Sequence, residues 1–179
     1  MLIRDATEAD LPAIVEIYNS AIPSCTATAD LEPISVESRL AWFREHTPNH
    51  RPVWVMDTDS SIAGWLSFQS FYGRPAYRHT AEISIYVAPE YRRQGVGRQL
   101  LKHAIVRSAD LDLNALLGLV FAHNHASLKL LEGFGFQRWG YLPQVAVLRD
   151  DQRDLVILGL QLSSSNLTRS VSKSMEGSI

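Results

Sequence analysis

Apolar positions recur along this chain at two periods, and the changes of period mark its elements. Residues 2–4 open as a short strand. Thr7-x-x-Asp10 with Pro12 just beyond has the form of a capped helix start, and Leu11, Ile14, Val15, Ile17 and Tyr18 then fall on one helical face. Residues 21–33 are small and polar and predict a loop. Ser35 stands at the N-cap of a second helix carrying Val36, Leu40, Trp42 and Phe43, which should end near His46, ahead of Pro48. Residues 53–56 and 62–68 predict an antiparallel hairpin turning at 57–61. A loop over 71–79 leads to an alternating, β-branched strand at 80–87. Leu100, Leu101, Ala104 and Ile105 place a helix over about 95–108. Residues 116–121 are almost wholly apolar, as in a central strand. A short helix over 125–132 and strands over 136–142 and 155–162 complete the pattern, with a polar loop around 150–153. Strands first, then alternating helices and strands, predict an α/β (α+β) fold: a mixed sheet with helices on both faces.

Composition narrows the classes. The 179 residues are 46% hydrophobic and 20% charged with net charge −2, which fits one domain with a real core. Charges of both signs are interspersed, so neither a nucleic-acid nor a membrane-surface partner is expected. No apolar run follows Met1-Leu2-Ile3-Arg4-Asp5, so no secretory signal is predicted, and the expected location is cytoplasmic. Cys25 is the single cysteine, which rules out an intramolecular disulfide. His123 and His125 flank Asn124, but alternate residues at a helix start diverge and no carboxylates accompany them. No metal is expected. From residue 163 the chain turns to Ser, Asn, Thr, Lys and Arg, which predicts a domain over 1–162 and a flexible tail over 163–179.

The densest signal is Tyr91-Arg92-Arg93-Gln94-Gly95-Val96-Gly97-Arg98 between a strand and a helix. A turn of this kind leaves backbone N–H groups unpaired at a helix start, where the helix dipole adds positive charge. Glycines let a phosphate approach the main chain, and Arg92, Arg93 and Arg98 suit phosphate. The expected role is a pyrophosphate cradle. The spacing matches neither a P-loop nor a dinucleotide fingerprint.

Arg92-x-x-Gly95-x-Gly97 resembles the R/Q-x-x-G-x-G/A signature of the GCN5-related N-acetyltransferases (GNAT). Asn124-x-x-Ser127-x-x-Leu130-Leu131-x-x-x-Gly135-Phe136 resembles that family's later helix and the Gly-Phe before the next strand. Tyr77-x-x-Thr80-Ala81-Glu82-x-Ser84-x-Tyr86-Val87 is similar to the phosphinothricin acetyltransferase branch. The resemblance covers residues 2–162 and implies a mostly antiparallel GNAT sheet, acetyl-CoA as donor, and a primary amine as acceptor. It places Ile85, Tyr86 and Val87 beside the pantetheine arm, with the Val87 N–H as oxyanion donor. Arg92, Arg93, Gln94, Gly95, Val96, Gly97 and Arg98 would hold the pyrophosphate, with Asn124 and Ser127 completing the donor site. Asn124 also stands where it would cap the helix from His125. Both roles are compatible.

The same resemblance makes Glu82 the candidate base for the acceptor ammonium; a strand glutamate paired to an arginine is the alternative. Arg74, Tyr77, Arg78 and Tyr86 match acceptor-binding positions, with Arg74 set to pair with a carboxylate or phosphinate. Two departures stand out. Leu131 occupies the position of a Tyr or His and cannot protonate the leaving thiolate, which leaves water or Tyr86. Residues 145–154 lack the branch's usual aromatic and Trp-x-Asp, so an acceptor other than phosphinothricin is implied. The branch further implies a homodimer, for which Trp139, Tyr141, Leu142, Val145 and Val147 supply apolar surface. Two other functions fit the motifs: acetylation of a protein N-terminus or lysine, and a non-catalytic CoA-binding regulatory module.

Overall fold

The computed structural model describes residues 1–58 and 60–162. Seven strands, β1 (Leu2–Asp5), β2 (Val53–Asp57), β3 (Ile62–Ser70), β4 (Thr80–Val87), β5 (Ala115–Phe121), β6 (Gln137–Leu148) and β7 (Asp151–Gln161), form one sheet in the order β1-β2-β3-β4-β5-β7-β6. Every pairing is antiparallel except β4 with β5. Helices α1 (Leu11–Asn19) and α2 (Val36–Arg44) cover one face, and α3 (Val96–Arg107) and α4 (His125–Gly133) cover the other.

Strand alternation sorts the side chains. Ala81 and Ile83 of β4 join Leu66, Phe68, Leu116, Leu100, Leu101 and Leu131 in the core under α3 and α4. Val53, Val55 and Trp65 pack against Ile14, Ile17 and Tyr18 of α1, with Tyr86 and Trp42 partly buried beside them. The chain ends of the elements follow local chemistry. Ser35 Oγ accepts from the Ser38 N–H at the start of α2. Thr7 and Asp10 form a capping box around a 3-10 turn at Glu8–Asp10 that leads into α1. Arg4 on β1 donates to Asp10 at 2.8 Å and to Asp57 at 2.7 Å, tying that turn to two strands. The Arg4 guanidinium holds the Asp10 carboxyl down at about 2, so this tie weakens only in strong acid.

The C-terminal hairpin corrects the expected polar loop at 150–153. β6 and β7 continue through it, with Ala146 opposite Arg153, Val147 opposite Gln152 and Leu148 opposite Asp151. The turn itself is tight and has Arg149 at φ +56°. Polar residues are tolerated because this hairpin is the sheet edge, where alternate side chains face water. The register shifts between Leu142 and Ala146, which accommodates Pro143 and leaves the Gln144 N–H to the Asp154 carboxylate at 2.8 Å. The tail predicted over 163–179 lies outside the described residues.

Candidate active site

The parallel pair β4–β5 is short. It runs only from Thr80 opposite Ala115 to Glu82 opposite Leu117, while the strands continue to Val87 and Phe121. Residues 83–87 and 118–121 therefore diverge, opening a wedge in the middle of the sheet. On its other side β4 stays paired with β3, and the Ala88 N–H donates to the Ala63 carbonyl at 3.0 Å. Antiparallel alternation then directs the N–H groups of Tyr86 and Ser84 toward β3 and those of Val87 and Ile85 into the wedge. The Val87 carbonyl agrees with this direction, since it accepts from Arg92 Nε at 3.4 Å rather than from β3.

The glycine turn between β4 and α3, the expected cradle, lies at the wide end of the wedge. Arg93 (φ +62°) and Gly95 (φ +83°) take left-handed backbone on either side of Gln94. Among the described residues, the N–H groups of 93–97 make no backbone hydrogen bond. Successive free N–H groups at the start of a twelve-residue helix fit the two phosphates of a pyrophosphate. Gly95 is needed for its φ. At Gly97 a Cβ would make ordinary contact, 3.4 Å from Leu130 and 3.6 Å from Val87, so only a larger side chain there would crowd the turn. Gln94 Nε2 donates to the Glu90 carbonyl at 2.7 Å, and the Arg98 guanidinium stacks 5.3 Å from the Phe134 ring. Arg92 and Arg93 are exposed, and the Val96 side chain is buried, so Val96 offers the ligand only its main chain. Gly64 brings β3 close beneath this region: a Cβ would lie 2.7 Å from the Tyr86 carbonyl oxygen and 3.0 Å from Val96.

Glu82, Ser84 and Tyr86 point to the α1–α2 face. Their cross-strand neighbours are Gln69, Ser67 and Trp65. Glu82 is half-buried, and burial raises its carboxyl pKa above the ordinary value. No arginine pairs with it, and among the described residues no ion pair or hydrogen bond satisfies its carboxyl. The alternative of a structural Glu–Arg pair therefore finds no partner. Tyr86 stacks on Trp65 with centroids 4.7 Å apart and contacts Tyr18 at 5.0 Å. Its hydroxyl donates to the Ala27 carbonyl at 3.1 Å, and burial pushes its pKa up, which weakens it as a proton donor to a thiolate.

A loop crosses the wedge on this side. Tyr86 of β4 holds Ala27, while His123 Nε2 meets the Cys25 carbonyl at 2.8 Å and Asn124 Nδ2 donates to the Thr26 carbonyl at 3.0 Å. Residues 25–27 thus span from β4 to the β5–α4 junction. Asn124 Oδ1 accepts from the Ser127 N–H at 3.1 Å, so both ends of its amide are engaged and its capping role is observed. Leu131 is buried against β5, with Cδ1 only 2.7 Å from where a Gly118 Cβ would stand.

The loop over 71–79 holds Arg74, Tyr77 and Arg78, the residues expected to face the acceptor. Phe71, Tyr72 and Tyr77 pack together with centroids 5.0–5.9 Å apart. Arg74 and Arg78 are exposed, and Arg78 Nη1 turns back to the Pro75 carbonyl at 3.4 Å. Arg51, which sequence reading missed, fixes the base of this loop. It is 5% exposed and donates to the Arg78 carbonyl at 2.7 Å, the Thr80 carbonyl at 3.3 Å and Ser70 Oγ at 3.2 Å. A cavity of about 560 Å³ bounded by Arg4, Glu16, Asp57 and Glu90 contains none of the site residues. Among the described residues no cluster of His, Cys, Asp or Glu is placed to hold a metal, and no helix is long and apolar enough to cross a membrane.

Known proteins share this arrangement. Residues 11–136 match the acetyltransferase (GNAT) family model. YwnH of Bacillus subtilis, named as a candidate phosphinothricin acetyltransferase, is 46% identical over 164 residues, covering 91% of this chain and all of YwnH (100%). The L-methionine sulfoximine/L-methionine sulfone acetyltransferase of Salmonella typhimurium is 32% identical, covering 90% of this chain and 95% of that protein. The crystal structure of a phosphinothricin acetyltransferase from Sinorhizobium meliloti in complex with acetyl-CoA matches with a TM-score of 0.85 at 28% identity, covering 90% of this chain and 88% of that one. With the family model matched over residues 11–136 and a relative 46% identical along its whole length, the chain belongs to the GNAT family of acetyltransferases.

Proposed function

We propose that this enzyme moves the acetyl group of acetyl-CoA to the primary amine of a small amino-acid-like acceptor, by direct attack in a ternary complex, in the cytoplasm. The observation that carries the reading is Glu82: a half-buried carboxyl without a partner, on the strand whose far end presents the Val87 N–H. The relatives named for phosphinothricin and methionine sulfoximine support the acceptor class.

When bound, acetyl-CoA supplies a thioester whose carbonyl carbon the amine attacks. The N–H groups of Arg93, Gln94, Gly95, Val96 and Gly97 would receive its pyrophosphate, with Arg92 and Arg98 adding positive charge. Ile85, Tyr86 and Val87 line its pantetheine arm, and Asn124 and Ser127 flank it from α4. The Val87 N–H is a fixed donor for the negative charge that develops on the carbonyl oxygen, a contribution typically worth about 3 kcal/mol. Glu82 takes the proton of the acceptor ammonium. Five residues at about 3.3 Å each separate its Cα from that of Val87 by roughly 16 Å, so an amine near Val87 reaches Glu82 through water. As the C–N bond forms and the C–S bond breaks, the thiolate leaves and takes its proton from water, because Leu131 has none to give. A thiol pKa of about 8.5 makes this acceptable near neutrality. Arg74, Tyr77 and Arg78 close the acceptor side, with Arg74 pairing with an oxyanion of the acceptor.

The edge strand β6 exposes Trp139 (48%), Tyr141 (56%), Val145 (55%) and Val147 (59%). An exposed apolar edge invites pairing, and we assign it to a second copy of this chain. Sedimentation at micromolar concentration should give a dimer; monomer alone refutes the assignment.

The activity is tested by thiol release from acetyl-CoA against amino acids, their sulfone and sulfoximine analogues, polyamines and peptides. Turnover with the amino-acid analogues supports the reading. Turnover with peptides alone, or tight CoA binding with no turnover, overturns it.

A further inference from the structure

The α1–α2 face of β4 carries a cation that no sequence motif marked. Arg39 lies on α2, and its guanidinium carbon sits 4.9 Å from the Tyr18 ring and 4.6 Å from the Trp42 ring. Both rings pack on the α1–α2 side of the sheet. Tyr18 touches Tyr86, and Trp42 donates from Nε1 to Gln69 Oε1 at 3.4 Å, beside Glu82. Arg39 is half-buried, and among the described residues no carboxylate lies within ion-pair distance of it. Asp30, the acid on this side, is taken by the Tyr18 hydroxyl at 2.7 Å. A guanidinium stacked on two rings keeps its edge donors free and its position fixed.

The register of β3 and β4 limits what those donors would meet. Between Glu82–Gln69 and Tyr86–Trp65 the two strands present only the short side chains of Ser84 and Ser67 on this face. The amine must reach the wedge near Val87. In an α-amino acid the carboxylate is attached to the same carbon as that amine, so it must bind toward the Tyr86 end of this stretch of β4. Arg39 stands one ring away from Tyr86, through Tyr18. Arg74 is in the loop that precedes Thr80, at the opposite end of β4.

Building on the amino-acid reading of the acceptor, we propose that Arg39 binds the α-carboxylate, while Arg74 meets the far end of the acceptor side chain. Arg39 thereby distinguishes α-amino acids from simple amines. It is a specificity residue, bonded to substrate through charge-assisted N–H···O contacts.

The test compares L-methionine sulfone with its α-carboxamide, two acceptors that differ only at the group Arg39 would read. Wild type should prefer the acid. In Arg39→Met the ratio of kcat/KM for acid over amide should fall between about tenfold and a hundredfold, the range for a hydrogen bond to a charged group. The loss should appear in KM, with acetyl-CoA affinity unchanged, and Arg39→Lys should recover part of it. Equal losses on acid and amide in both variants, or an unchanged ratio, overturn the assignment of Arg39. If wild type acetylates neither compound nor any other amino acid, the acceptor reading itself is wrong, and the Arg39 assignment falls with it. A melting curve on each variant separates either result from misfolding.

Discussion

Glu82→Gln should lower turnover roughly 100-fold or more at neutral pH while leaving acetyl-CoA affinity nearly unchanged. The substitution keeps the shape of a residue that makes no ion pair and removes its capacity to hold a proton. Part of the rate should return at high pH, where more of the amine arrives already neutral. In wild type the acidic limb of the rate profile should lie above that of an ordinary carboxylate, because burial raises the Glu82 pKa and the base must be ionised to work. The same shift fixes the sign of the stability effect. The folded state binds this proton more tightly than the unfolded chain does. Its stabilising contribution is therefore present below the unfolded pKa and lost as pH rises through the folded one. At pH 7 the ionised side chain is a burden, and Glu82→Gln should melt no lower than wild type. A structural Glu82 predicts a lower melting temperature and the same fractional activity at every pH. Turnover from pH 6 to 10 with a parallel melting curve decides between them.

Gly95→Val should weaken acetyl-CoA binding by about tenfold or more with little loss of melting temperature. At φ +83° a β-branched residue is strained by roughly 1–2 kcal/mol, and relief of that strain turns the N–H groups away from the ligand. Packing is not at issue, since a Cβ at Gly95 would meet only Gln99 Nε2 at 3.9 Å. Gly97→Val is a less clean probe, because its added atoms press on Leu130 and Val87 in the wedge wall. Calorimetric titration of the folded Gly95 variant checks the cradle, and wild-type affinity there refutes it.

These residues were legible in sequence to different degrees, for physical reasons. β4 was read with its observed bounds, since alternation from Thr80 to Val87 is uninterrupted and followed by Pro89. The cradle was legible because its geometry is local: strand, left-handed turn and helix are consecutive. β6 was cut short at Leu142 because Pro143 cannot donate to a ladder, yet an edge strand with a bulge tolerates it. Arg51 gave no signal, since its three carbonyl and hydroxyl partners are 19 to 29 residues away in the chain. Arg39 looked like a solvated helix arginine until folding brought Tyr18 and Trp42 beneath it. The loop across the wedge was equally hidden, because Cys25 and Thr26 meet His123 and Asn124 from 98 residues away. Leu131 departs from the family pattern in sequence, but its fit against Gly118 depends on the fold.

The central claim is that the wedge holds thioester and amine together, so the acetyl group passes directly between them. Intact-protein mass spectrometry after mixing the enzyme with acetyl-CoA alone, with initial velocities measured over both substrates, tests it most directly. Direct transfer predicts an unmodified protein and intersecting double-reciprocal lines. An acetylated protein that transfers its acetyl group when the acceptor is added, with parallel lines, would contradict it.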